Sequence, residues 1–271
     1  MGATLEEEVL EGPTQTASRG ETSGEQPGAL RSETWLTLET RQAQRLVQGR
    51  RAEDGKAEII GLKRFAALLR SIWAGARTDD PYGDWWLIRI EEALEESQGA
   101  LKGLEARVQQ RLQGQPAVDI AVAHSIEPVR IPLVFTSPHA FRGAYLIADA
   151  DRVIRAILTA RHVGLMGRDE SERLIYEAGR AVRRALGSAR GYRYKGIGRA
   201  DLHQQTARGR EAQESMGELP EAILAGTQRP QYGPRRHPPA VASGGDASSS
   251  ARHPESRASG VSRGRGNIRG G

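Results

Sequence analysis

The sequence predicts a predominantly helical α+β fold: a long helical hairpin, a small antiparallel sheet and a basic helix-turn-helix pair. Three observations carry that prediction. Apolar residues recur at three- and four-residue spacing through two long segments between residues 58 and 113, which is the period of a helix. Short runs of alternating apolar and polar residues, the period of a strand, stand before and after those segments. Between Arg152 and Arg199, twelve Arg or Lys residues stand against four acids, Asp169, Glu170, Glu172 and Glu177, within two further amphipathic helices.

The formal charge of +5 over 271 residues is unevenly placed. Residues 1–33 hold seven Glu and two Arg amid Gly, Ser and Thr, and residues 229–271 hold eight Arg against Asp246 and Glu255 amid Gly, Ser and Pro. Both have too few apolar groups to offset chain entropy, so a disordered acidic segment and a disordered basic tail are expected. Residues 34–228 remain as the folded domain, at +4. The chain has no Cys, which excludes disulfides, thiol catalysis and Cys-ligated metal centres. No apolar run approaches the roughly 18 residues of a membrane span, and Met1 to Glu8 is acidic where a signal peptide is basic. The expectation is a cytoplasmic protein with no membrane partner.

Along the body, Leu36 and Leu38 alternate with Thr37 and Glu39 in a strand between Thr34 and Thr40, and Ala43, Leu46 and Val47 mark a short helix ending at Gly49. Leu62, Phe65, Ala66, Leu69, Ile72 and Trp73 define an amphipathic helix. Asp79, Asp80 and Pro81 supply a cap and a first-turn proline for the next helix. Its seam runs through Leu87, Ile90, Leu94, Leu101, Leu104 and Val108, with Ser97 at the missing position. The two helices read as an antiparallel hairpin over about 58–113, with a dimerising coiled coil as the alternative and Trp73, Trp85 and Trp86 as its packing. Three strands are expected within about 117–148: one through Val118, Ile120 and Val122, one through Val129, Ile131, Leu133 and Phe135 at an edge because of Pro132, and one over Gly143 to Ala148. A basic helical pair then covers about 149–188. Asp149 or Asp151 caps its first helix, Gly164 and Gly167 break it, and Asp169 and Glu170 open the second.

On that second helix Arg173, Glu177, Arg180 and Arg184 share an outer face, with Arg183 beside them; Arg190, Tyr192, Arg193, Tyr194 and Lys195 follow directly. Guanidinium groups neutralise phosphates and exposed tyrosines stack on bases, so Arg173, Arg180, Arg183, Arg184, Arg190, Tyr192, Arg193, Tyr194 and Lys195 form the candidate nucleic-acid-binding set, with duplex DNA as partner. Two plainer readings stand beside it. Glu177 pairs with Arg173 or Arg180 and leaves a solvated face, and the tyrosines alternate with bases along a strand. For groove reading, strand followed by helix, turn and helix is the order of ribbon-helix-helix proteins, with the reader between Val129 and Ala148; a helix-turn-helix using Arg173 to Arg184 is the other geometry. The Arg-Gly ending from Ser262 to Gly271 suits nonspecific nucleic-acid contact or simple solubility.

No enzyme, cofactor or metal is expected. His124, His139, His162, His203, His237 and His253 never fall at ligand spacing, no nucleophile elbow or P-loop occurs, and GYRYKGIG from Gly191 to Gly198 lacks the dinucleotide-binding order. Glu91, Glu92, Glu95 and Glu96 read as the wet face of a helix.

The stretch from Leu36 through LTLETRQAQRLVQGRRAEDGKAEIIGLKRFAALLRSIWAGARTDDPYGDWWLIRIEEAL, together with YLIADADRVIRAILTARHVGL and EAGRAVRRALGSARGYRY, resembles a bacterial family of integrating conjugative element proteins of unknown function. The resemblance covers about residues 34–226. Family members are carried with type IV secretion and DNA-transfer genes, and related plasmid proteins look like ribbon-helix-helix regulators of transfer. The resemblance implies a DNA-binding accessory protein or transcriptional regulator of conjugative transfer. The rival is a non-catalytic module docking on conjugation machinery through the seam from Leu87 to Val108. The sequence leaves a homodimer and a conjugation-machinery protein open as partners. It departs from a compact ribbon-helix-helix protein in its long hairpin and in Pro132.

Overall fold

The computed structural model describes residues 33–236 apart from 54, 115 and 116. Residues 1–32 and 237–271, where most of the two expected disordered ends fall, lie outside it. The elements run β1 (Trp35–Leu38), α1 (Arg41–Gln48), α2 (Leu62–Arg77), α3 (Pro81–Gln113), β2 (Val129–Pro132), α4 (Pro138–His162), α5 (Arg168–Gly187), α6 (Arg199–His203), α7 (Ala207–Met216) and α8 (Glu221–Leu224). The fold is predominantly helical with a two-stranded antiparallel sheet.

Helix α3 is the spine, about 50 Å long at 1.5 Å per residue. The Asp80 side chain caps it by accepting from the Tyr82 N–H at 2.9 Å, and Pro81 fills the first turn, where a missing N–H is harmless. The seam from Leu87 to Val108, Ser97 included, is buried throughout. It packs on α2 and, over its greater length, on α4 and α5. The expected hairpin of α2 and α3 is therefore present, but the seam is interior. It is available neither for a dimerising coiled coil nor for docking a partner.

Strand β1 pairs with β2 of the same chain, Trp35 opposite Pro132 and Thr37 opposite Arg130. Leu36 and Leu38 are buried beneath, and Trp35 and Thr37 face outward. The strand expected over Val118 to Val122 does not form. Side chains from elsewhere take the N–H groups just beyond it, Thr159 that of Ala123 at 3.0 Å and Glu39 that of Ser125 at 2.8 Å. The alternation there records half-burial of Ile120 and Val122, not pairing.

Gly143 to Ala148 is helical and not a third strand. Helix α4 starts at Pro138, capped by Ser137, whose hydroxyl accepts from the Ala140 N–H at 3.4 Å. Gly143 lies where α4 crosses α2, and a Cβ there would come within 2.8 Å of the Phe65 ring. Asp151 is inside α4 and caps nothing. It is buried and accepts from the Glu39 and Thr40 N–H groups at 2.9 and 3.0 Å and from the Thr40 hydroxyl at 2.6 Å, fastening the start of α1 to α4. Helix α5 opens with Asp169 and Glu170 in its first turn, as the sequence indicates.

Residue 228 is the boundary expected from the sequence, and residues 229–236 beyond it are described. Residues 229–236 pack against α3, where the Gln231 and Tyr232 N–H groups donate to Glu91 at 2.9 and 3.0 Å. Glu91 is thus no wet-face acid. Burial pushes its carboxyl up, but His139, at 2.8 Å, and those two N–H groups outweigh it and hold the carboxyl below its ordinary value.

Candidate nucleic-acid interface

Helix α5 buries Leu174, Ala178, Val182, Ala185 and Leu186, which turns Arg173, Arg180 and Arg184 outward at i, i+7 and i+11. Glu177 stands among them but reaches across to Arg107 of α3, at 3.1 Å, and pairs with neither Arg173 nor Arg180. Glu170 likewise meets Arg111 at 2.7 Å. Arg184 meets Glu96 at 3.1 Å, a pair exposed on both sides and worth about 0–1 kcal/mol. Among the described residues Arg173 and Arg180 make no ion pair.

Arg183 turns away from this row toward α1. Its guanidinium lies 5.4 Å over the Tyr176 ring and folds back across Gly179, where a Cβ would stand 2.8 Å from Nη1.

The segment after α5 is loop and not strand. The Trp86 indole N–H donates to the Arg190 carbonyl at 2.9 Å, and the Arg190 guanidinium donates to the Glu58 carbonyl. Tyr192 points inward. Its hydroxyl donates to the buried Asp80 carboxylate at 2.8 Å, and its ring centroid lies 5.9 Å from that of Trp86. Burial, and then the Asp80 charge, push the Tyr192 phenol far up. Burial likewise pushes up the Asp80 carboxyl, opposed by the Tyr192 hydroxyl and the Tyr82 N–H. Gly75 makes room for this pair, because a Cβ there would fall 1.9 Å from the Tyr192 hydroxyl. Tyr192 therefore packs the core and presents no face to a base. Lys195 is paired with Glu211 at 2.5 Å. Arg193 and Tyr194 are exposed.

Of the nine residues, the fold brings Arg173, Arg180 and Arg184 together, turns Arg183 toward α1, leaves Arg193 and Tyr194 open on the following loop, and engages Arg190, Tyr192 and Lys195 in contacts within the chain. Sequence reasoning passed over Arg130. It lies on the outer face of the ribbon beside Thr37, its guanidinium 5.0 Å above the Trp35 ring. Only the pairing of two strands more than ninety residues apart reveals that cluster.

Comparison with known proteins gives a consistent result. A family model described as the transcriptional regulator AcaB matches residues 26–236. No curated protein matches the chain. Among solved structures, the chain is similar to the crystal structure of selenomethionine-containing AcaB from uropathogenic E. coli, with a TM-score of 0.51 and 16% identity, covering 72% of this chain and 94% of that one. At that identity the likeness is one of fold.

Proposed function

The chain belongs to the AcaB family of transcriptional regulators, and on that premise we propose that it regulates transcription by binding duplex DNA through the outer face of α5. The family is one of regulators and not of enzymes. The observation that carries the reading is the row of Arg173, Arg180 and Arg184, about 16 Å long at 1.5 Å per residue, whose internal acid Glu177 is held by Arg107. Arg173 and Arg180, exposed and without carboxylate partners among the described residues, are free to replace counterions at phosphates, and Arg184 has only its exposed pair with Glu96 to exchange. Arg193 and Tyr194, exposed on the loop after α5, are the further candidates for contact. A homodimer would present two such rows to a two-fold-symmetric site, and the resemblance to conjugative-element proteins makes genes of conjugative transfer the proposed targets.

The test is fluorescence anisotropy of the full chain with promoter duplex from its own element and with a scrambled duplex, at about 50 and 200 mM salt. The expected result is tighter binding to the promoter. The salt slope should fall by about one for each contacting arginine removed in an Arg173→Ala, Arg180→Ala, Arg184→Ala variant. An unchanged slope moves the contact surface off α5. A second reading has its own observation, the outward Arg130 and Thr37 on a two-stranded ribbon, an element that enters grooves. If Arg130→Ala abolishes the preference for promoter over scrambled duplex while the salt slope changes little, the ribbon reads the bases and α5 grips the backbone.

A further inference from the structure

A cavity of ≈ 580 Å³ opens between α1, α4 and α5, away from the outer row of α5. Three helices each give it one face: Arg45 and Leu46 from α1, Ile154, Leu158 and Arg161 from α4 at i, i+4 and i+7, and Ile175, Tyr176, Gly179 and Arg183 from α5. The floor is apolar, with Ile154 fully buried and Leu46 nearly so. Space exists because Gly179 sends no side chain into it. At the rim, Gly49 turns with φ 68° and allows backbone contact with Ile59 and Gly61, which sets Arg50 in place through its N–H to the Ile59 carbonyl at 2.9 Å.

The charge around this cavity is one-sided. Arg45, Arg50, Arg161 and Arg183 line it, and the one lining acid, Glu172, is already paired with Arg168 at 2.9 Å. Among the described residues Arg45, Arg161 and Arg183 make no ion pair. Four guanidinium groups around an apolar floor repel one another, and an anion relieves that repulsion. A volume within the range of small-molecule sites, a mostly apolar lining and a few placed polar groups are the features of a ligand pocket.

We propose that this cavity binds a small organic anion: a compact oxyanion head, carboxylate, sulfonate or phosphate, held by Arg45 and Arg161, on an apolar or aromatic body seated over Ile154 and Ile175 and flanked by Tyr176. Arginine suits such a head because its planar fork donates two parallel hydrogen bonds. A bare duplex backbone lacks the apolar body that the floor requires. The ligand would touch Tyr176 and Arg183, within one turn of Arg173 and Arg180 on the same helix, which makes it an effector of α5.

The probe is 8-anilinonaphthalene-1-sulfonate, titrated into the full chain without DNA and followed by fluorescence and calorimetry. The expected result is saturable binding of one probe per chain. Roughly tenfold or more of that affinity should be lost in Arg45→Gln, Arg161→Gln, the loss for a hydrogen-bonded charge. Leu158→Trp fills the cavity and should abolish binding, with Gly179→Leu closing it from α5 if Leu158→Trp lowers the melting temperature. The neutral N-phenyl-1-naphthylamine should bind at least about tenfold more weakly than the sulfonate. Loss in the arginine variant alone, loss in the cavity variant alone, or equal binding of the neutral amine overturns the proposal. No DNA enters the readout, so failure of α5 to bind DNA and failure of this pocket are separate results.

Discussion

At the N-terminal end of α3, Asp84 is fully buried and receives Arg199 at 2.8 Å, Arg229 at 3.3 Å and Arg236 at 3.4 Å, while Asp79 receives Arg199 and, at 3.1 Å, Arg236. On the outer face of α5 and around the neighbouring cavity, Arg173, Arg180, Arg45 and Arg161 have no carboxylate partner among the described residues. The same side chain is a structural counter-ion in the first region and an open cation in the second. Placement of the acids decides between the two, and the local density of arginine does not.

The largest test of that contrast is Arg199→Ala. Removing one partner of a buried charge leaves the other uncompensated, and about 3 kcal/mol of stability should be lost in urea unfolding, the lower end of the usual range because Arg229 and Arg236 remain. Arg180→Ala should fall within about 0.5 kcal/mol of the parent. Equal costs at the two positions would erase the distinction. Tyr192→Phe sharpens it further. Taking the hydroxyl away from the buried Asp80 carboxylate should cost about 1–3 kcal/mol with DNA affinity unchanged, whereas an outward-facing tyrosine would lose its hydroxyl at little cost in stability.

Glu39 offers a test by pH. The Arg155 hydrogen bond, above all, holds its carboxyl at about 2 against an ordinary 4.5. A depressed carboxyl stabilises the fold above its unfolded value, and that contribution is lost as pH falls from about 4.5 toward 2. The melting temperature of Glu39→Gln should therefore decline less through that window. A gain is expected at Gly179. A Cβ there meets only the far end of Arg183, so Gly179→Ala should gain up to about 1 kcal/mol of helix propensity, a rise of a few degrees in melting temperature, while moving Arg183 off Tyr176.

Helices α2, α3 and α5 were legible because their apolar residues keep one period over several turns, which short runs cannot do. GAYLIA, from Gly143 to Ala148, is a six-residue apolar run, and periodicity alone does not separate a buried strand from a buried helix at that length. The deciding signal was upstream in Ser137 and Pro138, a cap and first-turn proline that also suit a turn. At the candidate interface the outer row of α5 was readable from spacing. The fates of Tyr192 and Arg190 were not, since Asp80 and Glu58 lie 112 and 132 residues away. Residues 229–236 were unreadable for a similar reason: Pro, Gly and Arg look like a tail until a buried carboxylate elsewhere gives the arginines a place to go.

The cluster around Asp84 also imposes an order in time. Arg236 is 152 residues downstream of the carboxylate it approaches, so on a ribosome adding roughly 5–20 residues per second Asp84 waits on the order of ten seconds for its last counter-ion. Arg199, nearest in sequence and at 2.8 Å the closest of the three, arrives first, and before it does the N-terminal turn of α3 has none of these counter-ions with which to bury that charge. All three counter-ions of that buried carboxylate come from later in the chain, so this end of the spine is completed from its C-terminal side.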